Sequence, residues 1–213
     1  YNKTNNENKH INDINRYIKK MNEIIINKKS YESVVDDFIR NLFEYIGLDN
    51  EKNDKILSQY KLDLNIGKEK ISSIPDIICK KSNGIIWLVE ESKHTNNNTC
   101  LQGDIQLICH MLAAMQYNKK KFNYFSKTIL GVKIKNTKIF FYKMNITNEY
   151  LKNLEENNLI EYIYVHKFPE KGIDIELYNY NSYRNIEKVC NILYNFKIIH
   201  NNLNSDIKQN MIY

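Results

Sequence analysis

Asp76, Glu91 and Lys93 are the residues whose types and spacing can do chemistry in this chain. Asp76 stands in Ile74-Pro75-Asp76-Ile77-Ile78, and fifteen positions later Glu91-Ser92-Lys93 closes a run that begins at Ile85. In a strand alternate residues share a face, so Trp87, Val89, Glu91 and Lys93 are expected on one side and Leu88, Glu90 and Ser92 on the other. A strand apolar on both faces is buried, and charge at its end is costly unless it is paired or binds a metal. Two carboxylates a hairpin apart suit Mg²⁺ or Mn²⁺, hard cations that prefer oxygen ligands. Such an ion acidifies a bound water and polarises a phosphodiester, while a neighbouring ammonium orients that water or offsets developing charge. The chemistry expected is metal-dependent hydrolysis of nucleic acid.

The elements that must hold these residues are legible from periodicity. Ile11, Ile14, Ile18, Met21 and Ile25 recur at helical spacing over about two heptads, too short for a coiled coil, so a helix packed on the rest of the domain is expected. Ser30 is a candidate N-cap for a second helix, whose apolar face carries Val34, Val35, Phe38, Ile39, Leu42, Phe43 and Ile46 and which ends at Gly47. Residues 51–61 are polar with a weak helical pattern. Leu62, Leu64 and Ile66 alternate with polar residues, and Ile74 to Cys79 and Ile85 to Val89 read as strands joined by a Ser82-Asn83-Gly84 turn. After a polar loop, Leu101 to Tyr117 reads as a helix. Strands at about 128–134 and 138–144, a short helix at 149–157, a strand at 160–166 and a closing helix at 182–200 complete the series. The fold class expected is α/β, a mixed central sheet flanked by helices. The domains expected are a helical extension over residues 1–30 packed on a core over 31–213.

Pro75-Asp76 followed by Glu91-Ser92-Lys93 in a β-hairpin resembles the PD-(D/E)xK nuclease superfamily, the restriction-endonuclease-like fold. The resemblance implies that Asp76 and Glu91 are metal ligands, that the Ser92 carbonyl completes the shell, and that Lys93 positions the nucleophilic water. The superfamily often adds a glutamate from the preceding helix. Glu32 lies at the edge of that helix's apolar face and Glu44 opposite it, so Glu32 is preferred and Glu44 is expected in solvent. Many members also carry a glutamine on the following helix, where Gln106 matches best. Gln102, Gln106, His110, Ala113 and Tyr117 fall in one stripe of that helix and can line a cleft. From about Tyr31 onward the chain also resembles Crinkler-type nuclease domains, through Gln106 to Ala114, Gly131-Val132 and Phe141-Tyr142; a glutamate usually stands there in place of His110. His94 and the Asn- and Thr-rich loop to Gly103 are candidate substrate contacts, with Gln102 and His110 beside them.

Bulk composition is compatible with this reading without demanding it. The chain has 213 residues, 42% hydrophobic and 26% charged, with two Pro and six Gly, which excludes a collagen-like chain or a long flexible linker. No apolar run approaches the roughly 18 residues of a membrane helix, and Tyr1 to His10 contain no secretory apolar segment. Cys79, Cys100, Cys109 and Cys190 form no CxxC pair, so reduced thiols and an intracellular reducing compartment are expected, and neither a zinc site nor a disulfide framework. The net charge of +6 is compatible with a polyanionic partner. The partner expected is nucleic acid, DNA before RNA, with no membrane; a homodimer accords with double-strand cutting. Two other readings compete: a catalytically silent nucleic-acid-binding module on the same fold, and a protein-interaction domain that uses the Ile11 to Ile25 seam.

Overall fold

The computed structural model describes Lys19 and residues 32–49, 54–93, 100–135, 138–158, 162–170, 175–176, 188–196 and 198. The expected helix over Ile11 to Ile25, His94 with its loop, and the side chains of Glu32, Lys93 and Gln102 lie outside the described residues.

Helix α1 (Glu32–Tyr45) places Phe38, Ile39, Leu42 and Phe43 at helical spacing on one face, all fully buried. It stops where the sequence says it should. Gly47 sits at φ 77°, its N–H bonds to the Glu44 carbonyl at 2.9 Å, and the Leu48 N–H reaches back to the Phe43 carbonyl at 2.9 Å. That is the Schellman closure, in which a left-handed glycine satisfies the last carbonyls and Leu48 packs back into the core.

The chain then lays down β1 (Asp54–Ser58), β2 (Leu62–Ile66), β3 (Glu69–Ser73), β4 (Ile77–Lys81) and β5 (Ile86–Lys93). Helix α2 (Cys100–Phe122) leads to β6 (Thr128–Lys135) and β7 (Lys138–Asn145), followed by α3 (Asn148–Glu156), β8 (Tyr164–Phe168) and β9 (Ile175–Glu176). Residues 188–196 form a closing helix, α4. The main sheet runs β1-β4-β5-β6-β7-β8, with β9 also on β7; β5 and β6 are parallel and the other neighbours antiparallel. A parallel neighbour requires a crossover, and α2 supplies it.

Each face of the sheet has its own core. Phe38, Ile39, Leu42 and Phe43 of α1, with Val189 and Leu193 of α4, cover Ile77, Cys79, Leu88, Val132 and Phe141. On the other face Leu107, Met111 and Ala114 of α2, Leu151 and Leu154 of α3, and Leu62 and Leu64 of β2 cover Ile78, Val89, Ile129 and Tyr142. The result is an α/β domain with a mixed sheet flanked by helices. Helix α2 lies so close to β6 that a Cβ on Gly131 would fall 2.8 Å from the Met111 sulfur. Among the described residues Cys79 and Cys109 are free thiols, and no helix is long and apolar enough to cross a membrane.

Four expectations need correction. Residues 54–58 form a strand, not a weak helix, because pairing with β4 buries Ile56 and overrides local propensity. Glu69–Ser73 is a strand invisible to burial patterning: among the described residues it pairs only with β2, and it is exposed except at Ser73. The strand expected from Ile74 starts at Ile77, with Ile74 itself 42% exposed. Trp87 does not share a face with Val89 and Glu91. Cys79 pairs with Leu88 but Lys80 with Ile86, so Trp87 is one residue too many in β5, and this bulge turns it into the α1-side core.

Candidate active site

The hairpin β4–β5 turns at Gly84, whose φ of 95° and N–H bond to the Lys81 carbonyl at 2.8 Å close the Ser82-Asn83-Gly84 turn as its residues require. Register then places the chemistry. Ile77 pairs with Glu90, and Asp76 follows at the same end of the ribbon, beside Glu91 and Ser92. The Ser92 N–H donates to Asp76 Oδ2 at 2.8 Å, and Gln59 Nε2 donates to Oδ1 at 2.9 Å. The Gln59 backbone N–H also holds the Asp76 carbonyl at 3.0 Å. The Asp76 carboxylate is therefore fixed across the open end of three strands, against the Glu91-Ser92 peptide.

Past the bulge the expected alternation holds. Glu91 turns to α2, where its Oε2 lies 3.0 Å from His110 Nε2, and both side chains are almost wholly buried. The far nitrogen of the ring, Nδ1, lies 2.6 Å from the Ser73 hydroxyl, and Gln106 Nε2 is 3.5 Å from Nε2. With its proton on Nε2 the ring would face the carboxylate with a donor and leave Nδ1 to accept from Ser73; with its proton on Nδ1 it would donate to Ser73 and leave Nε2 to accept from Gln106. Residues from β3, β5 and α2 thus converge in one Ser73–His110–Glu91 cluster. Sequence reading found Glu91, Gln106 and His110 but neither Ser73 nor Gln59, which sit in or beside strands whose pairing it did not foresee.

Glu90 and Ser92 turn the other way. Ser92 Oγ donates to Glu90 Oε1 at 2.8 Å, while Glu90 Oε2 is buried without a hydrogen-bond partner. Burial first, then the Asp76 carboxylate, push the Glu90 carboxyl well above the carboxylate range; Asp36 and Glu91 add to this and the Ser92 hydroxyl opposes it. Helix α1 thus brings an acid, Asp36, near the hairpin, one turn after Glu32, whose side chain lies outside the described residues. Glu44 is half-buried rather than fully in solvent.

The raised Glu90 pKa predicts a pH dependence. The folded chain keeps a proton that the unfolded chain sheds above about pH 4.3, so this group's contribution to stability falls as pH rises from there through the folded pKa. Glu90→Gln cannot ionise. The decline in Tm from mildly acidic to alkaline pH should be shallower in E90Q than in the wild type, by thermal denaturation. Identical slopes would assign the dependence to other groups.

A second cluster adjoins the first. Glu91 and Lys133 are direct neighbours on the parallel β5–β6 pair. Lys133, 2% exposed, donates to Asp104 Oδ1, which also accepts from the Tyr142 hydroxyl at 2.8 Å; Lys167 reaches Oδ2 at 2.9 Å. Partial burial alone would raise the Asp104 pKa, but the bonds from Lys133, Lys167 and Tyr142 outweigh it and hold it low. The sequence did carry a signal for this cluster, a lone lysine inside the apolar run of β6, which requires a buried counter-charge.

Among the described residues, no three His, Cys, Asp or Glu side chains gather in a group that could hold a metal ion. The expected set is smaller, two carboxylates and a backbone carbonyl. Its oxygen donors suit a hard divalent cation, and Asp76 and Glu91 stand at one end of the β4–β5 ribbon.

No family model and no curated protein matches this chain. A solved structure described as "Crystal structure of SSO0001" is similar at 20% identity over 68% of this chain and 68% of that one. Its TM-score of 0.29 is too low to carry an argument about fold or activity.

Proposed function

We propose that this protein is a Mg²⁺- or Mn²⁺-dependent nuclease, cutting DNA by phosphodiester hydrolysis on a restriction-endonuclease-like core. One observation carries the reading: the Asp76 carboxylate rests on the Ser92 amide at 2.8 Å, beside Glu91 and at the start of the Glu91-Ser92-Lys93 segment. Support also comes from topology, in which α1, the antiparallel strands β1, β4 and β5, the α2 crossover and parallel β6 come in that order, with the β2–β3 hairpin inserted between β1 and β4.

Asp76, Glu91 and the Ser92 carbonyl are the groups that would hold the cation. When bound, such an ion supplies an acidified water and charge neutralisation at the phosphate. The chain's own residues orient the donors. Gln59 and the Ser92 amide hold Asp76 in one rotamer, and His110, steadied by Ser73, does the same for Glu91. Lys93 is assigned the water-positioning role.

A second reading, a catalytically silent nucleic-acid-binding module, is favoured by a specific observation. Both Asp76 oxygens already accept protein hydrogen bonds, and Glu91 Oε2 already faces His110. The two readings separate on supercoiled plasmid incubated with Mg²⁺, with Mn²⁺ and with EDTA. The nuclease reading expects nicked and linear products in either metal and none in EDTA. An intact plasmid in both metals, with the DNA nevertheless bound, would replace it by the silent module.

A further inference from the structure

Two groups of lysines on the α2 face of the sheet are treated very differently. Lys133 and Lys167 share the Asp104 carboxylate. Lys55 and Lys80 stand directly opposite each other on β1 and β4, a like-charge pair that is destabilising by itself. Lys121, from the last turn of α2, joins them through Tyr117. Among the described residues none of these three pairs with a carboxylate.

What surrounds them is phenolic. The Lys80 ammonium lies 3.3 Å from both the Tyr60 and the Tyr117 hydroxyls, which are 2.9 Å from each other. It also stands 4.9 Å from the centre of the Tyr60 ring, and Lys121 stands 5.3 Å from that of Tyr117. Partial burial would lower the Lys80 pKa, but the bonds to Tyr60 and Tyr117 raise it, so the cation is kept. Lys55 and Lys121 are exposed, and Lys80, Tyr60 and Tyr117 are half-buried. Three cations and two hydroxyls with no anion of their own among the described residues form a surface complementary to closely spaced negative charges.

Position identifies the occupant. Tyr117 lies seven residues beyond His110 on the same helix, about 10 Å at 1.5 Å per residue. Lys80 lies four residues beyond Asp76 on β4, about 13 Å away at some 3.3 Å per residue. Along one strand of duplex DNA that interval spans about three to four phosphates. We infer that Lys55, Lys80 and Lys121, with the Tyr60 and Tyr117 hydroxyls, hold the phosphate backbone of duplex DNA three to four nucleotides from the Asp76–Glu91 site. This rests on the nucleic-acid reading given above and adds where the duplex lies.

The experiment is fluorescence anisotropy of a labelled duplex oligonucleotide in EDTA, over a series of salt concentrations, with the full chain. Each lysine–phosphate contact contributes about 0.9 to the slope of log affinity against log salt. Lys55→Ala/Lys80→Ala/Lys121→Ala should therefore bind with a slope shallower by about two to three and with affinity roughly tenfold or more lower at low salt. Lys55→Glu/Lys121→Glu, which spares half-buried Lys80, should weaken binding in the same direction with an unchanged circular dichroism spectrum. Slopes that ignore both lysine variants, or a wild type that does not bind duplex DNA, would overturn the inference. A protein that binds through these lysines yet never cuts would remove the nuclease reading alone and leave the surface standing.

Discussion

Asp76→Asn should fold as the wild type does and lose metal-dependent plasmid cleavage by about a hundredfold to a thousandfold, the usual loss when one charge-stabilising group is removed from a catalytic site. The amide oxygen can still accept the Ser92 N–H, so the end of the ribbon keeps its shape. What disappears is the negative charge that would hold a divalent cation. Glu91→Gln should behave similarly, since its amide can still meet His110 across the 3.0 Å gap. Gln59→Ala keeps both carboxylates but frees Asp76 from one side. It should require more Mg²⁺ for half-maximal cleavage, with a loss of about tenfold to a hundredfold in affinity for the metal. Cleavage by Asp76→Asn at the wild-type rate in both metals would end the assignment.

The largest stability effect is expected at Asp104. Its carboxylate meets Lys133, which is 2% exposed, and also Tyr142 and Lys167. Removing one partner of a buried ion pair costs about 3 to 5 kcal/mol, because the remaining charge stays in a poor solvent. Lys167 is 31% exposed and can turn to water, so nearly all of the cost falls on Lys133. Asp104→Ala should accordingly lower unfolding free energy by about 3 kcal/mol in urea titrations. Asp104→Leu/Lys133→Met should recover most of that loss, since replacing both charges by apolar groups is often neutral. A loss just as large in the double variant would show that packing, not charge, sets the cost. The pH sign agrees. Asp104 has a folded pKa below its unfolded value of about 3.9, so its contribution is present above that pH and is lost as pH falls through the folded value.

The core of the fold was legible wherever period and punctuation agreed. The face of α1 and its stop at Gly47, the Ser82-Asn83-Gly84 turn, and the alternation of Glu91 against Glu90 and Ser92 are local properties, and each appears as expected. Elements whose only reason to exist is a partner far along the chain were not legible. Strand β1 forms because β4 lies beside it, and β3 because β2 does. The bulge at Trp87 is likewise a property of the β4–β5 pair rather than of either strand.

The candidate site divides in the same way. Which groups are acid, base or amine, and that Asp76 and Glu91 lie at one end of a ribbon, is settled by residue identity and by a two-residue period within a single hairpin. How each group is held belongs to contacts between residues distant in sequence: Gln59 on Asp76, Ser73 and His110 on Glu91, and Asp104 on Lys133. Buried polar atoms must find partners, and a side chain of given type accepts whichever one the packing of α2 and the β2–β3 hairpin brings within about 3 Å. The sequence alone therefore determined the chemical inventory and its local spacing. Only the closed tertiary structure decided which carboxylate stays half-buried beside the Ser92 amide, which is buried against a histidine, and which lysines are neutralised.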